Sequence, residues 1–287
     1  MTKIVYNGEV LDEASARLPV LDWGVLYGYG IYETMKAVNG RVFKLERHLS
    51  RLREGAGEIR LPLPWSDEEI TDMVNKALSA NNLSDAYIRL TITRGVGEPG
   101  LKLTGKINPN IIVLARPLPQ DIREKREKGV RAAVTEKHVR CTRDVRCRVK
   151  TTNYLMNALA KLDAKDQGLD ELILLNEKGF AAEFSSANLF IVSDGKLYTP
   201  PFEAGILPGV TRETVLELAV ELGIESFEEN ISVDQLYSAE EVFKSSAIQG
   251  VIPVVELDGK PVGDGKPGET TRNILREYIE LVERGGN

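Results

Sequence analysis

Apolar and polar positions along the chain repeat with two periods, and the switches between them mark out the elements. Val145, Cys147 and Val149 alternate with charged residues, which predicts a half-buried strand. Leu155, Ala158, Leu159 and Leu162 then recur at helical spacing, which predicts a helix from Thr152 to about Gln167. Earlier, Asn39-Gly40 sits between apolar-rich runs and predicts a tight hairpin. Leu45, Leu49, Leu52 and Ala56 form one helical face, and Ser66 with Glu69 opens a second helix as a capping box. "AYIRLTITRG" and "NIIVLARPL" read as strands. The stretch "RPLPQDIREKREKG", with two prolines and a dense charge run, reads as a linker over 117–128.

Beyond it, "VRAAVTEKHVR", "DELILLN", "NLFIVSDGKLYTPP", "EEVFKSS" and "VIPVVELDGKPV" read as strands. Val215, Leu218, Ala219 and Leu222 make a helix face stopped by Gly223, and a last helix spans about 268–284. Helices and strands mix without strict alternation, so the fold class is α+β. The boundaries predict a small N-terminal domain over 1–116 and a larger C-terminal one over 129–287.

Composition narrows the function. A net charge of −6 argues against a general nucleic-acid binder, and the basic run "KHVRCTRDVRCRVK" has no aromatic residues within it. No apolar run approaches the ~20 residues that span a bilayer. "MTKIVYNGEV" reads as a strand and not as a signal peptide, so a cytoplasmic protein with no membrane partner is expected. Cys141 and Cys147, on one predicted strand, would lie roughly 20 Å apart, too far for a disulfide. Two distant histidines add no metal-ligand spacing, so no structural metal is expected.

Four features could carry chemistry. Lys150 falls where the predicted strand meets the predicted helix, with Thr151, Thr152 and Asn153 as N-cap candidates and Arg146 and Arg148 on its own side of the strand. Positive surroundings there would favour a neutral, nucleophilic amine. "LPGVTRE", residues 207–213, offers free N–H groups at a helix start and the Thr211 hydroxyl, which suit an anion. Glu183 lies between Ala182 and Phe184 and would need a cationic or proton-donating partner if buried. "KSSAIQG", residues 244–250, offers hydroxyls and N–H groups beside a strand end. Each has a plainer reading: a solvated lysine, an ordinary helix start, a solvated strand face, a simple loop. Together an amine, an acid and two phosphate cradles suit pyridoxal 5'-phosphate.

These motifs, within "LDWGVLYGYGIYETMKAVNGRVFKLERHLSRL" and "VKTTNYLMNALAK … DELILLNEKGFAAEFSSANLFIV … LPGVTRE", resemble the class IV (fold type IV) pyridoxal-phosphate aminotransferases. That group holds the branched-chain and D-amino-acid aminotransferases and 4-amino-4-deoxychorismate lyase. The resemblance implies two domains with the cofactor cleft between them, and a homodimer. It implies amino transfer between a branched-chain or other apolar amino acid and a 2-oxo acid such as 2-oxoglutarate. The lyase and D-amino-acid activities are the alternatives on the same scaffold. By the same resemblance Lys150 is the Schiff-base lysine and catalytic group, and Glu183 meets the pyridine nitrogen. Arg51 in "HLSRL", Val210, Thr211, Ser246 and Ala247 fall at the phosphate, Leu207 on the ring and Tyr154 at the phenolic oxygen. Ala247 replaces a threonine common in relatives, so that hydroxyl contact is absent. Tyr87 and Arg89 match substrate residues of the branched-chain enzymes, and Tyr32 joins them. Pro99 and Leu101 stand where the D-amino-acid enzymes carry an arginine and a histidine, while Tyr32-Glu33-Thr34 departs from the branched-chain pattern.

Overall fold

Strand pairing sorts the chain into two sheets, one in each of two units: Met1–Pro119 with Val149–Asn153, and Gln120–Arg148 with Tyr154–Arg284. The structure, a computed structural model, describes residues 2–98, 100–101 and 106–285.

The first unit contains β1 (Lys3–Tyr6), β2 (Glu9–Asp12), α1 (Trp23–Tyr27), β3 (Gly30–Val38), β4 (Arg41–Val42), α2 (Leu45–Glu58), α3 (Asp67–Ala80), β5 (Ala86–Thr93) and β6 (Asn110–Arg116). Its sheet runs β2-β1-β6-β5-β3-β4, antiparallel throughout. The β3–β4 turn places Asn39 and Gly40 at φ 52° and 75°, the double left-handed conformation that selects this dipeptide. Met35, Ala37, Ile88, Leu90 and Ile92 on one sheet face are buried with Leu49 and Leu52 of α2 and Ile70 and Val74 of α3. Each large apolar side chain so buried contributes about 1.5–3 kcal/mol. The capping box at Ser66 and Glu69 is formed.

The second unit contains α4 (Ile122–Lys128), β7 (Val130–Arg140), α5 (Val145–Arg148), α6 (Leu155–Asp166), β8 (Glu171–Asn176), β9 (Ala181–Phe184), β10 (Asn188–Ser193) and β11 (Lys196–Thr199). It continues with α7 (Val210–Glu221), β12 (Ser226–Glu228), α8 (Val233–Ser238), β13 (Glu241–Ser246), β14 (Gly250–Leu257), β15 (Lys260–Pro261) and α9 (Glu269–Glu283). Its sheet runs β12-β11-β10-β13-β14-β7-β8-β9, and a further β9–β10 pairing closes the last six strands of that path into a ring. Ala132, Ile173, Phe184, Leu189, Val242 and Ile252 belong to the apolar cluster that fills it. Ala133, Leu172 and Leu174, on alternate positions, pack outward with Ala160 and Ala164 of α6.

Three local expectations change. The stretch read as a linker carries α4, whose Ile122 is buried, and clusters with the second unit. Pro119 ends the extended stretch, and the following charges make i,i+4 pairs such as Lys125–Asp121 that suit a short helix. Residues 145–148 form helix α5 and not a strand, so Arg146 does not flank Lys150 by alternation and instead pairs with Asp144. Helix α6 starts only at Leu155, with Tyr154 as its N-cap and no side-chain cap. Its buried face is Asn157, Ala160 and Ala164, while Leu155, Leu159 and Leu162 are exposed.

Candidate active site

Lys150 takes its place from β3 and not from a helix start. The Tyr32 N–H donates to the Lys150 carbonyl at 2.9 Å, Ile31 bridges Thr151, and the Thr152 N–H donates to Gly30 O at 2.9 Å. The residues expected to cap α6 are used to tie this segment down. Thr152 Oγ1 and Asn153 Nδ2 both donate to Gly28 O, at 2.6 and 2.7 Å. Gly28 closes α1 at φ 63°, and a Cβ there would meet Asn153 Oδ1 at 2.6 Å, so both backbone shape and space require glycine.

The β3–β5 register pairs Tyr32 with Thr91, Thr34 with Arg89 and Lys36 with Tyr87. Opposed residues share a sheet face. Tyr32, Tyr87 and Arg89 therefore stand together, on the face that the antiparallel bridge also gives Lys150. Lys150 Nζ lies 4.5 Å from the Tyr32 ring centroid and Arg89 Cζ 3.7 Å from it. Each cation meets the negative face of a ring that is itself buried.

Glu33, next along β3, points to the opposite face, beneath α2. Arg51 donates to it as a fork, Nε to Oε1 at 2.8 Å and Nη2 to Oε2 at 2.5 Å. His48, one helical turn earlier, lies with Nδ1 2.8 Å from Oε2. Burial works to raise the Glu33 pKa, but Arg51 and His48 outweigh it and hold the carboxyl down to about 2. Burial, with the charges of Arg51 and Lys150, keeps the His48 pKa below its ordinary value despite Glu33. A neutral ring facing a carboxylate must carry its proton on Nδ1. The signal for this cluster was in the sequence: Glu33 occupies the phase of Ile31 and Met35, where a carboxylate demands a cation.

In the second unit Glu183 stands on the outer side of β9, opposite Leu174 and Asn188. Its Oε1 is 2.8 Å from Arg140 Nη2, and its Oε2 accepts from the Leu207 N–H at 3.0 Å. Asn188 also pairs with Ser245 and donates through Nδ2 to Leu207 O at 2.9 Å. Helix α7 opens with Gly209 as N-cap and no side-chain cap, so Val210 and Thr211 sit at an uncapped start. A Cβ on Gly209 would lie 1.9 Å from Asn188 Oδ1. Ser246 pairs with Gly250 around the turn that holds Ala247, and Arg126 of α4 donates through Nε and Nη2 to Gln249 O in that turn. Burial, against the Arg126 charge and the neighbouring Thr211 side chain, raises the Tyr278 phenol to about 12. Ser245 Oγ and, in the first unit, Thr151 Oγ1 are buried without a hydrogen-bond partner.

Lys150, Tyr32, Tyr87 and Arg89 thus share one sheet face of the first unit, and Arg51 lies at its helix-packed face. Glu183, Leu207, Val210, Thr211, Ser246 and Ala247 gather around β9, β13 and the start of α7. Tyr154 is half-buried, in the same unit as Arg140. Arg140, Asn188, Glu33, His48 and Arg126 escaped the sequence reading. Leu101 is exposed, and Pro99 lies outside the described residues. Both cysteines are free thiols, and no group of metal-ligating side chains occurs among the described residues.

The chain as a whole is similar to known proteins. The family profile "Amino-transferase class IV" matches residues 30–257. A protein of Methanocaldococcus jannaschii named "Putative branched-chain-amino-acid aminotransferase" is 40% identical over 285 residues, 99% of this chain and 98% of its own length. The D-alanine aminotransferase of Staphylococcus haemolyticus is 34% identical over 285 residues, 99% of each. A solved branched-chain amino acid aminotransferase from the organism abbreviated T.th., with pyridoxamine 5'-phosphate, superposes with a TM-score of 0.93 at 29% identity, covering 99% of this chain and 95% of the other.

Proposed function

This chain belongs to the class IV aminotransferases, pyridoxal-phosphate enzymes that move amino groups between amino acids and 2-oxo acids, and from that premise we propose that its amino donor is a branched-chain or other apolar amino acid and its acceptor a 2-oxo acid such as 2-oxoglutarate. The observation that carries the reading is the shared sheet face of Lys150, Tyr32, Tyr87 and Arg89. It puts an amine, a carboxylate-binding cation and two aromatic walls side by side.

The residues present fit the cofactor. Glu183 is an acid for the ring nitrogen. Leu207 supplies an apolar contact for the ring, and Tyr154 a hydroxyl for the phenolic oxygen. The uncapped start of α7 at Val210 and Thr211 suits a phosphate, and the partnerless Ser245 hydroxyl marks the neighbouring turn at Ser246 and Ala247 as a second anion cradle. Arg51 is the cation assigned to the same phosphate, with Glu33 fixing its fork. When bound, pyridoxal phosphate supplies an aldehyde for amines and a ring that takes up electrons. Lys150 would hold the cofactor through its amine, and that amine would carry the proton taken from the amino acid's Cα. Arg89 orients the substrate carboxylate, and Tyr32 and Tyr87 exclude water around its side chain.

The exposed apolar surface supports a homodimer. Val20, Leu21, Val25, Leu26, Tyr27 and Val96 cluster around α1, and Leu155, Leu159 and Leu162 stripe α6. Clusters of that kind are typically covered by a partner. Light scattering is expected to give twice the chain mass, and Leu159→Glu with Leu162→Glu to reduce it to one. No helix among the described residues is long and apolar enough to cross a membrane. The two free thiols support a cytoplasmic setting.

The test is a donor panel of L-valine, L-leucine, D-alanine and D-glutamate, read by loss of the cofactor's visible band. Rapid bleaching by L-valine and L-leucine supports the proposal. Bleaching by the D-amino acids alone moves the chain to the D-alanine aminotransferase reading. A cofactor that no simple amino acid converts points to the lyase.

A further inference from the structure

Arg140 ends β7, within the basic run "KHVRCTRDVRCRVK", yet it is only 3% exposed. Taking a guanidinium out of water costs several kcal/mol unless its donors are matched. Nη2 meets Glu183 Oε1 and donates to Cys147 O, both at 2.8 Å, and Nε donates to Gly205 O at 2.9 Å. One planar fork thereby joins four segments: the end of β7, the acid on β9, the Gly205–Leu207 loop and helix α5. The loop answers through the Leu207 N–H, which binds the other oxygen of the same carboxylate. With one oxygen on the guanidinium and the other on a backbone N–H, the carboxylate is fixed in rotation.

We propose that Arg140 is a positioning residue for the cofactor: it fixes the orientation and charge of the Glu183 carboxylate and so sets how firmly that acid holds the proton on the pyridine nitrogen. The inference rests on the reading of Glu183 as the ring-nitrogen acid. Two consequences follow. An oriented, ionised acceptor binds the ring better than a mobile one. An adjacent cation also weakens the carboxylate as a base, so the nitrogen keeps its proton without surrendering it to Glu183. Burial alone would lower the Arg140 pKa, but the charge of Glu183, helped by Cys147, Tyr154 and Asp144, raises it, so the guanidinium stays charged at every working pH.

The test measures the dissociation constant of pyridoxal phosphate and the pH profile of the bound cofactor's absorbance for Arg140→Lys, Arg140→Met, Glu183→Gln and the double variant Arg140→Lys/Glu183→Gln. Arg140→Met strands the acid and risks misfolding; Arg140→Lys keeps the cation and loses only the fork. We expect Arg140→Lys to weaken binding about ten- to hundredfold, as for a hydrogen bond to a charged group, and to move the pH profile. Glu183→Gln weakens binding too, and the double variant is no weaker than the worse single one, since both act through one contact. If folded Arg140→Lys matches the unaltered protein in both readouts while Glu183→Gln is impaired, the role of Arg140 is overturned and Glu183 stands. Losses that add in the double variant overturn it as well. If Glu183→Gln changes nothing, both assignments fall together.

Discussion

Glu171 and Glu183 lie on adjacent strands of one ring, both buried and both paired with a cation, yet they are built for different ends. Glu171 faces inward. Its cross-strand partner Ala132, and the partners of Lys244, Leu189 and Ile252, all belong to the apolar interior. There it accepts from Lys244 Nζ at 2.6 Å, Lys161 Nζ at 2.8 Å, Ser185 Oγ at 2.6 Å and Ser186 Oγ at 3.1 Å. Four donors match the acceptor sites of a carboxylate, so this acid is complete within the protein. Burial pushes its pKa up, but Lys244 and Lys161 prevail and hold it down to about 2. Glu183 faces outward, beside Asn188, Ser245 and the uncapped start of α7, where anionic and ring-nitrogen partners are to be expected. A buried acid is thus structural or functional according to what lies beyond its protein partners, and burial alone does not distinguish the two.

The contrast can be broken experimentally. The largest effect belongs to Lys150→Ala, expected to lower turnover by a factor on the order of 10⁴ while leaving the melting temperature nearly unchanged. A steady-state assay with L-leucine and 2-oxoglutarate checks it. Glu171→Gln leaves Lys244 buried without its counter-charge, and urea unfolding is expected to show a loss of about 3–5 kcal/mol with pyridoxal-phosphate affinity preserved in the folded fraction. Glu183→Gln also leaves a buried cation, Arg140, without its counter-charge and is expected to destabilise, but here turnover falls by about 10²–10³ and pyridoxal-phosphate affinity falls with it. Equal profiles for the two glutamine variants would erase the distinction.

Acid titration sharpens the comparison further. Glu171 and Glu33 have folded-state values near 2, below the ordinary 4.5, so the unfolded chain binds protons first as pH falls. Their stabilisation is fully present above about 4.5 and is lost as pH falls towards 2. The urea midpoint is therefore expected to hold from about pH 7 to 5 and drop below, less steeply in Glu171→Gln. The smallest effect is reserved for the exposed Arg123–Glu127 pair of α4, where Glu127→Gln is expected to leave the midpoint unmoved.

Local chemistry was legible where it was self-contained. Asn39-Gly40 and the Ser66–Glu69 box formed as their sequences dictate, because each is satisfied within a few residues. The switch around Lys150 was not. Its apparent strand is a short helix, and Thr152 and Asn153 serve Gly28 more than a hundred residues away, a contact that periodicity does not encode. Helix α6 misled for a related reason. Its leucine stripe marks the helix but not the buried face: small Ala160 and Ala164 let the helix sit close on the sheet while the leucines stay exposed. At the site, Lys150 and Glu183 could be singled out from their residue types and the family resemblance, whereas Arg140 and Glu33 become evident only when their partners are seen.

The most direct test of the account is to incubate the protein with pyridoxal phosphate, reduce it with borohydride and map the peptides by mass spectrometry. A single phosphopyridoxyl adduct on Lys150, lost from Lys150→Ala, is the predicted result. An adduct on another lysine, or none at all, would contradict it.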